Sequence, residues 1–341
     1  MNIGYSFWGF LGAGIQDTPD GGRSHRSTLI DGLINMGHSL VFLQPNRDLL
    51  EAGEVFPFVW DPGFPDIDLL FLEWRWPIPG RNVEIEPHSK IYTPDLDRQN
   101  ALIQYYTFHG KTPTFLWDKD QKLEANSELR ALENVRVAVP ARFPARREST
   151  LLFPISDAEL DLQLQSIWSQ GEKPFKRTLV YIGNQYERDE AFSTLFAVPA
   201  KTIDHAVFGK WSSSDEWAHV KFNGRVHFKD VARIYAESVA TVLLAPDRYC
   251  RSGQITQRLF EALMQGCFPI AHSDIKGIDE ILPKWLIINS GDEVADLCEH
   301  LMNIRQSHSY RDCLAECLEG LHPFRMSHQQ RFLEQVFSEM S

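Results

Sequence analysis

Basic side chains recur where apolar runs of this chain end. Arg188 follows "YIGNQYE" (181–187), Lys210 lies in "FGKW" (208–211), and Arg248 and Arg251 lie in "APDRYCRSG" (245–253). An arginine grips a phosphate through two parallel N–H bonds, and a lysine acts as a point charge. Cations at neighbouring strand ends could therefore build a local anion site. The turns that carry them hold Gly183, Asn184, Ser252 and Gly253, and glycine lets backbone come close to a ligand. Arg258 and Glu261 follow at a spacing of three, which puts both on one face near the start of a helix expected over 254–265. The arginine could hold phosphate. The carboxylate could accept hydrogen bonds from two neighbouring hydroxyls, as on a ribose or hexose. The plainer alternative is a surface Arg–Glu pair worth a few tenths of a kcal/mol. Arg188 has a similar alternative, an exposed pairing with Asp189 or Glu190.

A second cluster lies near the N-terminus, in "GFLGAGIQDTPDGGRSHRSTLIDGLINMGHSLVFL" (9–43). Gly21 and Gly22 precede a helix expected over 23–37, whose first N–H groups could meet an anion or a sugar hydroxyl. His25 sits in its first turn. No G-x-G-x-x-G opens a helix directly after the first strand, and "GFLGAG" has the wrong spacing, so a nicotinamide or flavin dinucleotide fold is not indicated.

The elements that must position these residues form two series. Apolar runs at 2–7, 39–45, 67–74, 89–94, 113–118 and 135–141 read as strands of a parallel sheet covered on both faces. Residues 142–175 turn polar, with Pro, Arg and Gly. A second alternation of strands and helices then starts at 178–184 and runs through 205–211, 226–246 and 286–304. Ser290 and Glu293 have the spacing of a capping box. The expected fold is α/β, with two Rossmann-like doubly wound domains facing a cleft. Residues 1–160 form the first, 172–326 the second, and a helix over 327–341 packs back on the first. In such sheets ligands bind beyond the carboxyl ends of the strands.

Composition narrows the function. The chain has 341 residues, 34 basic and 46 acidic side chains, and a net charge of −12. That disfavours bulk attraction to nucleic acid or anionic membrane, though not a local basic cleft. Runs such as "VATVLLA" (239–245) are too short to span a bilayer. The first ten residues lack the basic region and cleavage site of a signal peptide, so a cytoplasmic protein without a membrane partner is expected. The five cysteines show neither disulfide nor zinc spacing, and no metal site is expected.

Residues 222–271, "FNGRVHFKDVARIYAESVATVLLAP…RSGQITQRLFEALMQGCFPIA", resemble the donor-binding half of GT-B glycosyltransferases. The most specific part is the run R-x-F-E-A-L-x-x-G-x-x-P-I-A, Arg258 to Ala271. The pattern from Gly21 to Val41 is similar to the acceptor half. The resemblance implies a nucleotide-sugar donor, a UDP-sugar as first choice, with no other cofactor. Glu261 would bind the donor ribose, and Arg188, Lys210 or Arg258 would neutralise the diphosphate without a metal. Gly21, Gly22, Gly183, Asn184, Arg251, Ser252 and Gly253 complete the expected donor set. Many retaining members carry a second glutamate eight positions ahead of the first. Gly253 stands there in this chain, which brings it closer to CgeB-like or phage-type glycosyltransferases. An inverting reaction needs a general base near the acceptor. Asp95, at an expected strand end, is the first candidate, with His25 and Asp17 next. Asp20, Glu73 and Asp118 are further options, and Trp74 and Trp76 could stack on a sugar or base.

The expected activity is metal-independent transfer of a sugar from a nucleotide-diphosphate sugar to an acceptor hydroxyl. The acceptor could be a small molecule. In one alternative it is a hydroxylated base in DNA, served by a basic strip of Arg75, Arg81, Arg142, Arg146 and Arg147. In another, the protein binds a sugar nucleotide without turning it over.

Overall fold

A computed structural model of the protein describes residues 1–16, 18, 21–78, 82, 94–167, 175–305 and 307–340. The chain divides into two compact units. The first comprises Met1–Pro140, Pro144–Pro154 and Met326–Ser341, and the second Ala141–Phe143 and Ile155–Arg325.

The first unit contains β1 (Asn2–Ser6), α1 (Arg23–Asn35), β2 (Ser39–Phe42), α2 (Arg47–Ala52), β3 (Val59–Trp60), β4 (Leu69–Glu73), α3 (Pro94–Leu102), β5 (Thr114–Trp117), β6 (Val135–Val139) and β7 (Ser149–Thr150). A π-helical stretch, Ile103–His109, continues α3. The strands form a parallel sheet in the order β3-β2-β1-β4-β5-β6-β7. Successive side chains of a strand point to opposite faces. Leu69, Leu70, Phe71 and Leu72 are nevertheless all buried, so β4 is covered on both sides. The short edge strands β3 and β7 carry too few residues to announce themselves as periodic runs. The strand expected over 89–94 lies outside the described residues, except for Pro94.

The second unit holds α4 (Asp157–Ser166), β8 (Arg177–Ile182), α5 (Asp189–Leu195), β9 (His205–Phe208), α6 (Phe228–Ala236), β10 (Ser238–Leu243), α7 (Asp247–Ser252), α8 (Arg258–Leu263), β11 (Phe268–His272), β12 (Ile287–Ile288), α9 (Gly291–Ile304) and α10 (His308–Glu319). Its parallel sheet runs β12-β11-β10-β8-β9. The Ser290 hydroxyl accepts from the Glu293 N–H at 3.3 Å, and Glu293 in turn accepts from the Asn289 N–H at 3.2 Å. The cap therefore closes on the residue before the serine.

The second unit starts at Ile155, ahead of the break expected between 160 and 172. Ile155 donates to the Phe324 carbonyl at 2.8 Å and forms a parallel bridge with Arg325. Arg325 also pairs with Asp161 at 2.6 Å, which ties α4 to the end of the second unit. The last helix, α11 (Met326–Met340), then rejoins the first unit. It lies along α1, where the Met326 thioether occupies the space beside Gly32 and Gln330 donates to the Gly32 carbonyl at 3.1 Å. Among the described residues no helix is long and apolar enough to cross a membrane.

Candidate functional site

The order of the second sheet reverses between β8 and β10, and a crevice for ligand opens beyond the carboxyl ends at such a point. Tyr181 lies near the carboxyl end of β8 and is completely buried. Arg188, ahead of α5 and 8% exposed, donates from Nη1 to the Tyr181 hydroxyl and from Nε to the Tyr186 carbonyl at 2.8 Å. Arg258, the first residue of α8, donates from Nε to the Ile182 carbonyl at 2.7 Å. Its guanidinium stands 5.6 Å from the Tyr181 ring centre. Burial opposes ionisation of Tyr181, but the two guanidiniums hold its pKa below the ordinary phenol value. Among the described residues neither arginine forms an ion pair within 4 Å. Two anchored cations thus flank one phenol, 70 residues apart in sequence and both bonded near the carboxyl end of β8.

Glycines make this packing possible. A Cβ on Gly183 would lie 2.6 Å from Arg258 Nη2 and 2.8 Å from the Tyr181 hydroxyl. Gly209 has φ +136, and a Cβ there would collide with the Gly183 carbonyl. The turns after β8 and β9 are joined by hydrogen bonds. Gly183 donates to Phe208, Gln185 to Lys210, and the Lys210 N–H to Asn184 Oδ1 at 2.8 Å. Asn184 and Lys210 thus lie side by side, with the Lys210 side chain exposed.

The helix expected over 254–265 is shorter in the structure. Gly253 (φ +64) ends α7, and α8 covers only Arg258–Leu263. Within α8, Leu259, Phe260, Ala262 and Leu263 are buried, while Arg258 and Glu261 share a partly open face. Glu261 lies beside Tyr235 of α6. Burial first, and then this carboxylate, push the Tyr235 phenol well above its ordinary pKa. Arg251 is exposed on α7, and the Ser252 hydroxyl donates to the Arg248 carbonyl at 2.9 Å. Arg248 pairs with Glu187 and stacks on Tyr249.

Two glycine assignments change. Gly253 is glycine for a packing reason: a Cβ would lie 2.6 Å from the Lys276 carbonyl and 2.8 Å from the Phe143 ring. Gly22 makes room for the Arg26 guanidinium, which a Cβ would strike. The Gly21–Gly22 pair belongs to the first unit, whereas the rest of the expected donor set belongs to the second.

At the carboxyl ends of the first sheet's central strands, Glu73 is the hub of a buried charge cluster. It accepts from Arg26 (2.9 and 2.7 Å), Lys119 (2.5 Å) and the Tyr5 hydroxyl (2.7 Å). Burial alone would raise its pKa, but Arg26 and Lys119 hold it far below the usual carboxylate range. Glu73 is therefore a structural counterion, not an open base. His25 is 2% exposed, with Phe153 4.5 Å and Trp117 5.4 Å from its ring centre. A base must reach the acceptor's proton, and this packing keeps His25 from doing so. Asp95 sits in the first turn of α3, 3.7 Å from Arg47. Asp17 and Asp20 lie outside the described residues.

Asp118 follows β5 and is completely buried. Burial lifts its pKa to about 6, against the pull of hydrogen bonds from the Lys122 and Leu123 N–H groups. Trp76 donates to Asp120 at 3.3 Å and lies under Lys122. The expected basic strip is dispersed. Arg75 is buried and donates to Ser6, and Arg142 is bound to Gly277 and Glu280. Arg81 lies outside the described residues, which leaves Arg146 and Arg147 exposed.

The sequence reading missed Tyr181 and Phe143, since an apolar strand and a lone aromatic carry no local signal of what they touch. Among the described residues no group of three His, Cys, Asp or Glu side chains could hold a metal ion.

Comparison places this architecture. The model of a family described as "Glycosyl transferase-like" matches residues 190–317. No curated protein sequence matches the chain. Among solved structures, T4 phage BGT in complex with its UDP-glucose substrate is 13% identical, covers 99% of both chains and has a TM-score of 0.64. AviGT4, a glycosyltransferase involved in avilamycin A biosynthesis, is 12% identical, with coverage of 99% and 98% and a TM-score of 0.59. Anabaena HepE in complex with UDP-glucose is 11% identical, covers 99% of both chains and has a TM-score of 0.56. The fold is that of GT-B glycosyltransferases. The family match lies within the second unit.

Proposed function

We propose that the protein transfers a sugar from a nucleotide-diphosphate sugar to an acceptor hydroxyl, with the donor at the carboxyl edge of the second sheet. One observation carries this reading. Arg188 and Arg258 flank Tyr181 at the switch point, each fixed by a backbone carbonyl and, among the described residues, neither tied to a carboxylate within 4 Å. Fixed cations of this kind suit a diphosphate whose charge grows as it leaves. Glu261, one helical turn into α8, is suited to the ribose hydroxyls. T4 BGT and HepE hold UDP-glucose, so a UDP-sugar is the first donor to try. The two arginines can supply the charge a metal would otherwise bring, and turnover is expected to persist in EDTA. Asp95 is the proposed base for the acceptor.

The test is thermal stabilisation by UDP, GDP, dTDP and ADP sugars, comparing wild type with Arg258→Ala and Glu261→Ala. A ligand that binds only the folded state raises Tm by mass action. One nucleotide class should stabilise the wild type, and both variants should lose the shift. If no sugar nucleotide stabilises the wild type, the donor site is refuted. Binding without release of nucleoside diphosphate, whatever the acceptor, would identify a non-catalytic sugar-nucleotide-binding protein.

A second reading gives the enzyme a DNA acceptor carrying hydroxylated bases. Exposed Arg146 and Arg147 favour it. A duplex affinity that falls steeply with salt and weakens in Arg146→Ala/Arg147→Ala would support it.

A further inference from the structure

The chain leaves the first unit after Pro140 and re-enters it at Pro144, and the three residues between belong to the second unit. They lie against the turn that carries Arg251, Ser252 and Gly253. Ala141 forms an antiparallel bridge with Gln254, and the Phe143 N–H donates to the Ser252 carbonyl at 3.0 Å. The Phe143 ring fills the space beside two left-handed glycines. A Cβ on Gly253 (φ +64) would lie 2.8 Å from this ring, and one on Gly277 (φ +70) 2.7 Å from it. Lys276 places its ammonium 4.3 Å from the ring centre and its N–H 2.9 Å from the Cys250 carbonyl. Arg142 fastens the far side, donating to the Gly277 carbonyl at 2.6 Å and to Glu280 at 2.5 Å. Three chain segments are thus stacked: turn 250–254, the Phe143 ring and turn 276–277.

We infer that Arg142 and Phe143 are positioning residues for the donor site: they set the turn from which the chain continues through 254–257 into Arg258 and Glu261. This inference rests on the donor reading above. Among the described contacts of this turn, those to Ala141, Phe143 and Lys276 come from distant segments. Gly253 brings no side chain, Arg251 is exposed, and the Ser252 hydroxyl bonds back into its own helix. Its backbone is held by the bridge at Ala141, by Ser252–Phe143 and by Cys250–Lys276. Misplacing a binding group by about 1 Å can cost on the order of a hundredfold. The conformation of this loop therefore depends on residues more than a hundred positions earlier in the chain.

The experiment compares wild type, Arg142→Ala and Phe143→Ala. Calorimetric titration uses UDP, GDP, dTDP and ADP, and limited trypsin digestion follows cleavage after Arg251. Arg142→Ala keeps the ring and removes its anchor, so it remains informative if Phe143→Ala folds poorly. Affinity for the diphosphate that the wild type binds should fall about tenfold or more in Arg142→Ala (about 1.4 kcal/mol). Cleavage after Arg251 should quicken without ligand. A merely structural role would lower Tm and leave the affinity of the folded protein unchanged. Wild-type affinity and an unchanged cleavage rate in both variants would overturn the inference while the donor site stands. Failure of all four diphosphates to bind the wild type would remove the donor site, and this inference with it.

Discussion

Replacing Glu73 by glutamine should cost the first unit much of its stability, although the side chain keeps its size. Both carboxylate oxygens are used: Oε1 accepts from Tyr5 and Arg26 Nε, and Oε2 accepts from Arg26 Nη2 and Lys119. A glutamine must turn an NH2 group toward cations on one side and leaves a guanidinium and an ammonium without their counter-charge. Removing one partner from a buried ion pair costs about 3–5 kcal/mol. In a domain of 150–250 residues each kcal/mol shifts Tm by about 2–4 °C, so a fall of about 6–20 °C is expected. The assay is thermal unfolding at pH 7, followed by a pH series. The folded pKa of Glu73 is depressed, so its contribution is complete above the unfolded value of 4.5 and is lost as pH falls toward the folded value. Below pH 4.5 the gap between wild type and Glu73→Gln should therefore narrow. Replacing all three charges together, Arg26→Met and Lys119→Met with Glu73→Leu, should be less damaging than Glu73→Gln, since no buried cation is left without its counter-charge. A Glu73→Gln variant within about 2 °C of wild type at pH 7 would refute the view that these charges compensate one another.

Other outcomes follow from single contacts. Gly183→Ala should fold, since Gly183 is not among the positive-φ glycines. Its methyl group displaces the Arg258 guanidinium, so diphosphate affinity should fall roughly 10–100-fold by titration, the value of a charged hydrogen bond. Gly253→Ala, forced to φ +64 and against the Lys276 carbonyl, should lose more than about 1 kcal/mol in denaturant unfolding, with or without nucleotide. Asp118 should titrate near 6 by carboxyl-carbon NMR. Because its folded pKa is raised above the ordinary value of 3.8, its ionisation should cost stability as pH rises from 3.8 to about 6. A titration below 4.5 would contradict the burial ascribed to it.

The sequence by itself determined the alternation of elements. The order of apolar runs settles two parallel sheets, because a strand buried on both faces must be apolar at every position, as in Leu69–Leu72. It also put cations at the ends of β8 and β9 and after β10, and paired Arg258 with Glu261 on one helix face, since helical spacing is local. Tertiary structure alone decided what those residues meet. Arg188 and Arg258 converge because the paired parallel strands β8 and β10 bring their carboxyl ends together, and Tyr181 receives both because it lies near the carboxyl end of β8. His25 looked accessible at a helix start, yet Trp117 and Phe153 enclose it, from segments about 90 and 130 positions away. Gly253 looked like an opening for ligand, yet Phe143 occupies that space. A residue's type and spacing limit the chemistry it can do. Its partners come from distant segments, and nothing local in the chain records which segment will arrive.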